Sequence, residues 1–355
     1  MDKRLIWIGL GAMALILRYV ATPTQIEHIY SRGLFLWVRR LLDVSITNLP
    51  LPLFYVFYIL LIIWLIYLIR KTPWKQLFSW KILFDKLISF CAFAGAVLFL
   101  FFFLWGFNYG RIPLVKQVGL EPKPASFEEL YSELMEVTEV VIEARKDIDD
   151  SSIQPIDAHR LPIDMERLCR DVVEEVLIEL GYPVAGCVRG RVLFTKGILL
   201  RFGSSGVYWP FVGEGNIDGG LHPIQQPFIL CHELFHGYGI TNEGVCNFLA
   251  YLATQKSDNT FIKYSGQLSY WRYLAIEFQK FNVETYQQFR AELPLGLQAD
   301  LDEINIYLDN YPDLFPRLRY VAYDSYLKSQ GITEGMKSYS SIIMLVRSWK
   351  ERQRG

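Results

Sequence analysis

Two stretches of this chain, residues 52–69 and 87–107, are almost entirely apolar. Inside a bilayer there is no water to satisfy backbone polar groups. Such stretches can enter lipid as helices, which pair their own N–H and C=O groups. Residues 5–21 make a third, shorter candidate span, with Arg18 near its far end, where its head can snorkel to the interface. Trp105 and Tyr109, at the end of the 87–107 stretch and just past it, sit where an interfacial aromatic belt belongs. The apolar excess lies in the first third of the 355 residues, and the mean hydropathy of +0.19 reflects it. Lys3 and Arg4 before an apolar core would also suit a signal peptide. However, no small-x-small cleavage site precedes Pro23 and two more spans follow, so an uncleaved anchor is expected.

Basic residues set the orientation. Lys3 and Arg4 precede the first span, and Arg70, Lys71, Lys75, Lys81 and Lys86 crowd the link between the second and third. Both places are expected on the cytoplasmic side, which puts everything after Tyr109 outside. Arg32, Arg39 and Arg40 in the first loop weaken this contrast without reversing it. Residues 34–44 of that loop read as an amphipathic helix lying on the outer face. A net charge of −1 and a pI near 6.5 give no reason to expect nucleic acid as a partner.

Beyond the spans, residues 111–125 read as a Pro-rich linker. A helix is expected over 127–146, with a capping box of Ser126 and Glu129, and another over 165–180, stopped by Gly181-Tyr-Pro183. Short strands are expected at 188–194, 198–202 and 207–212. Further helices are expected at 270–281, 283–293, 297–311, 320–330 and 338–350. The fold class expected is α+β, mostly α. It consists of a three-helix transmembrane region (1–110; spans 5–21, 52–69, 87–107), a linker (111–125) and an extracytoplasmic domain (126–355) with a small β-sheet.

That domain contains His232-Glu233-Leu234-Phe235-His236, an H-E-x-x-H string in a chain with 5 histidines. A chance match is on the order of one in a few hundred. On a helix, i and i+4 share a face, so both imidazoles reach one metal ion and Glu233 can hold the water it activates. Gly237-Tyr-Gly239 stops this helix. A second helical run follows with Val245, Cys246, Phe248, Leu249, Tyr251 and Leu252. The turn folds Glu243 back as the expected third ligand. Asn247, one turn on, is expected to hydrogen-bond a ligand from behind. Buried, hydrogen-bonded histidines on an ordinary helix are the alternative reading.

This arrangement resembles the gluzincin metallopeptidases, in which a glutamate on a following helix completes H-E-x-x-H. The gap from His236 to Glu243 is shorter than in thermolysin-like enzymes. The metzincin pattern is met as far as Gly239, but Asn242 stands where its last histidine would be, and Asn is a poor zinc ligand. Nearly the whole chain also resembles an uncharacterised bacterial family of membrane-anchored proteins, a domain of unknown function with an H-E-x-x-H centre. Trp105-Gly-Phe-Asn108-Tyr109-Gly-Arg111 matches its W-G-x-N-Y-x-R pattern. Tyr208-Trp-Pro-Phe-Val-Gly-Glu214-Gly-Asn216 matches Y-x-P-F-x-G-E-x-N, and Tyr326-Leu-Lys-Ser-Gln-Gly331 also fits. Its helix pattern E-x-E-A-N-F is met from Glu243 to Phe248, with Val245 and Cys246 replacing the second acid and the alanine.

The resemblance implies a zincin-like domain and a membrane-anchored zinc peptidase acting on peptide or protein, with the site on the periplasmic side of a bacterial inner membrane. The metal set is then His232, His236 and Glu243 on Zn²⁺, with Glu233 as the catalytic acid–base. Tyr208, Glu214 and Tyr326 are candidates for substrate or oxyanion contacts. His222, Tyr323 and Tyr339 are further oxyanion candidates, although a structural role is expected for His222. The 208–216 segment is a candidate edge for an extended substrate or, equally, a core strand. A scaffold with a structural zinc and a zinc hydrolase of another amide are the alternatives. Cys91 falls in a span. Cys231 and Cys246 could pair in an oxidising compartment, but such residues are more often small buried hydrophobes.

Overall fold

The structure, a computed structural model, describes residues 2–46, 49, 51–71, 79–149, 153–330 and 341–354. It is mostly helical with one three-stranded sheet, and the chain divides into two units. The first unit comprises Met1–Ile112 together with two short returns of chain, Ala185–Cys187 and Trp209–Glu214.

In this unit α1 (Lys3–Val20) leads to α2 (Pro23–Gln25), a π-helical stretch (Ile26–Leu34) and α3 (Phe35–Ile46). The longer α4 (Leu53–Lys71) and α5 (Trp80–Leu104) follow. Each of these two is long and apolar enough to cross a membrane, and their large apolar side chains are mostly exposed, as lipid-facing residues are. α1 meets that measure only together with its continuation over residues 23–44, from which it is bent by 115°. The bend has a local cause. Thr22 and Gln25 form a capping box around Pro23, which starts a new helix in a new direction. On α3, Phe35 and Val38 are buried while Trp37, Leu41 and Val44 are exposed, the amphipathic pattern expected of this loop.

α1 and α5 pack backbone to backbone. A Cβ on Gly11 would lie 2.5 Å from Gly95 Cα, and one on Gly95 would lie 2.4 Å from Trp7 O. Ala14 and Ala92 continue the seam, so small residues bring the two helices together as they do in lipid. Past α5, the W-G-x-N-Y-x-R residues form a docking turn. Arg111 grips Glu27 with two hydrogen bonds of 2.9 and 2.7 Å. Asn108 accepts from Ser31 at 2.9 Å and donates to Trp105 O at 2.9 Å. On α3 the buried pair Arg39–Asp43 (2.6 Å) holds both chain returns: Arg39 donates to Gly213 O, and Asp43 accepts from Cys187 N–H.

The second unit comprises Pro113–Val184, Val188–Tyr208 and Gly215–Gly355. Within 111–125, expected as a linker, it has the short helix α6 (Leu114–Gln117), and Leu114, Val118 and Leu120 are buried in its core. α7 (Phe127–Asp149) starts at the expected Ser126–Glu129 capping box, and α8 (Met165–Glu179) follows. The strands are β1 (Arg189–Leu193), β2 (Gly206–Trp209) and β3 (Glu214–Asp218), in spatial order β1-β3-β2. Next come α9 (Gln226–Gly237), α10 (Glu243–Lys256), α11 (Thr260–Phe281), α12 (Val283–Glu292), α13 (Leu295–Asp309), α14 (Pro316–Ser329) and α15 (Ile342–Arg354). The start of the helix expected at 338–350 lies outside the described residues.

Two strand expectations need correction. Residues 198–202 form a turn and a 3₁₀ segment (Leu200–Phe202) in place of a strand. The carboxylate of Asp218 accepts from the backbone N–H groups of Gly197, Leu199, Leu200 and Gly220, donors that a β-ladder would have needed. The strand expected at 207–212 ends at Trp209, and Glu214–Asp218, in the candidate edge segment, is the sheet's central strand.

The glycine seam is directly testable. Gly95→Leu should destabilise the protein by about 1–3 kcal/mol through overpacking, read as a lower melting temperature in detergent. Gly9→Leu on the partner helix α1, where nothing lies within 4 Å, should leave it unchanged.

Candidate metal centre

α9 is buried on nearly every side, between α8, α10, α11 and β1. Pro227 sits in its first turn, where no N–H is needed, and Gly239 ends it at φ 89°, a conformation open to glycine. The chain reverses and α10 begins at Asn242, whose side chain accepts from Val245 N–H at 3.0 Å. Asn242, which stands at the metzincin histidine position, is thus a helix cap.

The turn brings three donor atoms to one point. His232 Nε2 and His236 Nε2 lie 3.0 Å apart, and Glu243 Oε2 lies 3.0 and 3.2 Å from them. His232, His236 and Glu243 are all buried, and together they are the candidate cation-holding cluster among the described residues. The far ring nitrogens explain the orientation. His232 Nδ1 faces Asn247 Oδ1 at 2.8 Å, and His236 Nδ1 faces the backbone carbonyl of Ile240 at 2.8 Å. A carbonyl oxygen accepts and cannot donate, so each Nδ1 carries a proton and each ring turns its Nε2 inward, where a cation or a proton takes the lone pair. Two lone pairs and a carboxylate in mutual contact repel unless a cation or a proton lies between them. Donors ~2.0–2.1 Å from one tetrahedral zinc would stand about 3.3 Å apart, close to the spacing seen. The residues fit the metal that their motif implies.

Charge follows from burial. Burial favours the neutral form of Glu243, but the pull of His236 and the hydrogen bonds of both histidines outweigh it and hold this carboxyl well below its usual range. Burial opposes protonation of His236, yet Cys246 and Glu243 together lift it well above the usual histidine value. Glu233 is different. Burial pushes its carboxyl up to about 7, against the pull of His232 and His236. It takes a hydrogen bond from the Tyr208 backbone, while its Oε2 has no partner among the described residues. Two strand glycines make room for it: a Cβ on Gly206 would lie 2.5 Å from Glu233 Oε1, and one on Gly215 would lie 2.9 Å from Glu233 Cβ. Sequence reasoning did not single out Gly206 and Gly215, because their role depends on sheet-to-helix contact.

The other candidates separate. Tyr208 serves Glu233 through its backbone. Glu214 Oε2 accepts from Leu53 N–H at 2.7 Å in the first unit, where the unsatisfied N–H groups of α4 begin. Tyr326 stacks on Tyr323 at 6.0 Å, and it is Tyr323 whose hydroxyl donates to Glu243 Oε1, at 2.9 Å. Tyr339 lies outside the described residues. His222 caps a 3₁₀ turn, accepting from Ile224 N–H, and burial pushes it down to about 4. Cys231 and Cys246 do not pair. Cys246 Sγ faces His236 Nδ1 at 3.5 Å, while Cys231 Sγ lies 4.0 Å from Cys169 O, and all five cysteines are free.

The model of a family described as "Protein of unknown function (DUF3810)" matches residues 30–347, and the chain belongs to that family. No curated protein and no solved structure matches it.

Two measurements follow. Metal analysis should find a single divalent cation per chain, lost in His232→Ala and in Glu243→Ala. Asn247→Ala should retain the cation with about 10–100-fold weaker affinity in chelator competition. Separately, His222 is held neutral, with its folded value below its ordinary 6.5, so its contribution to stability is present above 6.5 and lost as pH falls toward 4. His222→Gln should flatten the melting-temperature profile across that window.

Proposed function

We propose that this member of the family is a membrane-anchored, zinc-dependent metallopeptidase with its site on the outer, periplasmic side of a bacterial inner membrane. The observation that carries this reading is the convergence of His232 Nε2, His236 Nε2 and Glu243 Oε2, beside a glutamate with an unpartnered oxygen. A structural zinc would ask for four protein donors, whereas three converge here among the described residues. It would also leave Glu233 without a task. The three-donor set favours an open, catalytic site over a scaffold.

In this reading His232, His236 and Glu243 hold the ion, which when bound supplies Lewis acidity to a water and a carbonyl oxygen. Glu233 takes the proton from the attacking water and delivers it to the leaving amine nitrogen. Its raised value of about 7, set without a metal, is in the range a group that both accepts and returns a proton needs. Tyr208 N–H aims one carboxylate oxygen and leaves the other for water. Tyr323, its hydroxyl on Glu243, is the donor placed to swing to a developing oxyanion. β2, at one edge of the sheet, offers backbone groups to an extended peptide.

The N-terminus and the link between α4 and α5 carry the basic excess and are placed inside, with α1 as the third span. The expected partners are therefore the lipid bilayer and a peptide or protein substrate.

Glu233→Gln should keep fold and zinc while lowering peptide turnover by about 10²–10⁴-fold, read on a quenched-fluorescence peptide library. Tyr323→Phe should keep zinc and lower kcat by about 10²–10³-fold with little change in KM. A Glu233→Gln protein as active as wild type would end the peptidase reading.

A further inference from the structure

The second unit has a surface that the peptidase mechanism leaves unused. Phe194, Phe202, Phe315, Leu318 and Val321 are exposed, Phe194 by 69%, Leu318 by 68% and Val321 by 63%. They lie on connected pieces of chain. The rings of Phe202 and Phe315 stack with centroids 6.5 Å apart. Leu314 N–H donates to Arg201 O at 2.8 Å, and a Cβ on Gly197 would lie 2.2 Å from the Tyr311 ring. Phe315 at the cap of α14, then Leu318 and Val321 three and six residues on, form one stripe of that helix. α14 buries one side chain, Leu327, so its apolar stripe does not build the core.

Charge indicates what covers this rim. Residues 194–203 contain Lys196 and Arg201, and residues 311–321 contain Arg317 and Arg319. The acid in these segments is Asp313, already bonded to Arg319 at 2.7 Å. Exposed rings and aliphatic side chains interleaved with a surplus of cations suit the lipid headgroup layer, where rings sit at the boundary and cations meet phosphates. A soluble surface seldom keeps an apolar patch without a partner. This chain brings its own bilayer, because α4 and α5 are long and apolar enough to cross one. A tethered surface meets its target at high effective concentration, so a modest patch suffices.

We propose that this rim, loop 194–202 and the 314–321 stripe, rests in the anionic lipid headgroup layer of the membrane. α14 also carries Tyr323, whose hydroxyl sits on Glu243. Lipid contact therefore positions a group of the metal centre, and the substrate is a polypeptide segment lying at the membrane surface. That last consequence rests on the peptidase reading, whereas the lipid contact does not.

The test uses the full chain in nanodiscs of phosphatidylcholine and phosphatidylglycerol, with a trace of phospholipid carrying a diazirine high on its acyl chain. After illumination, labelled peptides are mapped by mass spectrometry. Label is expected in 194–202 and 314–321 as well as in α4 and α5. In Leu318→Glu/Val321→Glu, label at 314–321 should drop to the level of the α7 peptide 139–147, with α4 and α5 labelled as before. Labelled α4 and α5 beside rim peptides no richer in label than 139–147 would overturn the proposal. In a parallel sample with an amine-reactive bifunctional cross-linker, Lys196-to-Lys196 links between copies beside an unlabelled rim would also overturn it, in favour of self-association. His232→Ala should label as wild type does, so failure of the metal reading and failure of this one are separate results.

Discussion

Three electron-rich atoms held within 3.2 Å of one another in a buried interior are the constraint around which the second unit is organised. Such an arrangement costs free energy unless positive charge fills its centre. The fold nevertheless enforces it from behind. The Ile240 carbonyl and the Asn247 side chain take the Nδ1 protons and thereby commit each ring to one tautomer and one direction. The turn between α9 and α10 exists in the form needed: Gly239 permits the reversal, Asn242 caps the next helix and Glu243 is delivered in its first turn.

Around that centre the polar groups divide by task. Glu233 belongs to the same helix as the two histidines but to a different environment, pressed between strand glycines and aimed by a backbone N–H. Burial therefore pushes it toward neutrality while the paired Glu243 stays ionised, and two carboxyls ten residues apart acquire opposite tendencies. Tyr323 reaches Glu243 from a helix with little core packing of its own, so its position is cheaper to change than that of His232, His236 or Glu243.

The first unit solves a different problem with different means. Where lipid surrounds a helix, burying apolar surface gives no net drive toward another helix, so α1 and α5 meet through glycine and alanine at near-contact distance. Polar specificity is kept for the helix ends and turns. Glu27 with Arg111 and Ser31 with Asn108 tie elements distant in sequence, the Arg39–Asp43 pair within α3 holds the chain at Gly213 and Cys187, and each pair is buried and hydrogen-bonded. Buried pairs of this kind contribute more to choosing one arrangement than to net stability.

Much of this was readable from the sequence, because local rules operate locally. Apolar length marked α4 and α5, periodicity marked the flanks of the motif, a capping box marked the start of α7, and i,i+4 spacing put His232 and His236 on one face. The glycine turn even pointed to Glu243. What stayed hidden depends on contacts between segments far apart in the chain. Residues 198–202 have strand-like composition, but Asp218, eighteen or more residues away, takes their N–H groups. Glu214 and Tyr326 sit in motif-like patterns, but no local pattern shows that Glu214 accepts from Leu53 or that Tyr323 donates to Glu243. The sequence thus determined which residues could bind a cation, through spacing on one helix. Tertiary structure decided which tyrosine meets Glu243 and that the Ile240 carbonyl stands behind His236, because each is set by a partner brought near only when the chain packs.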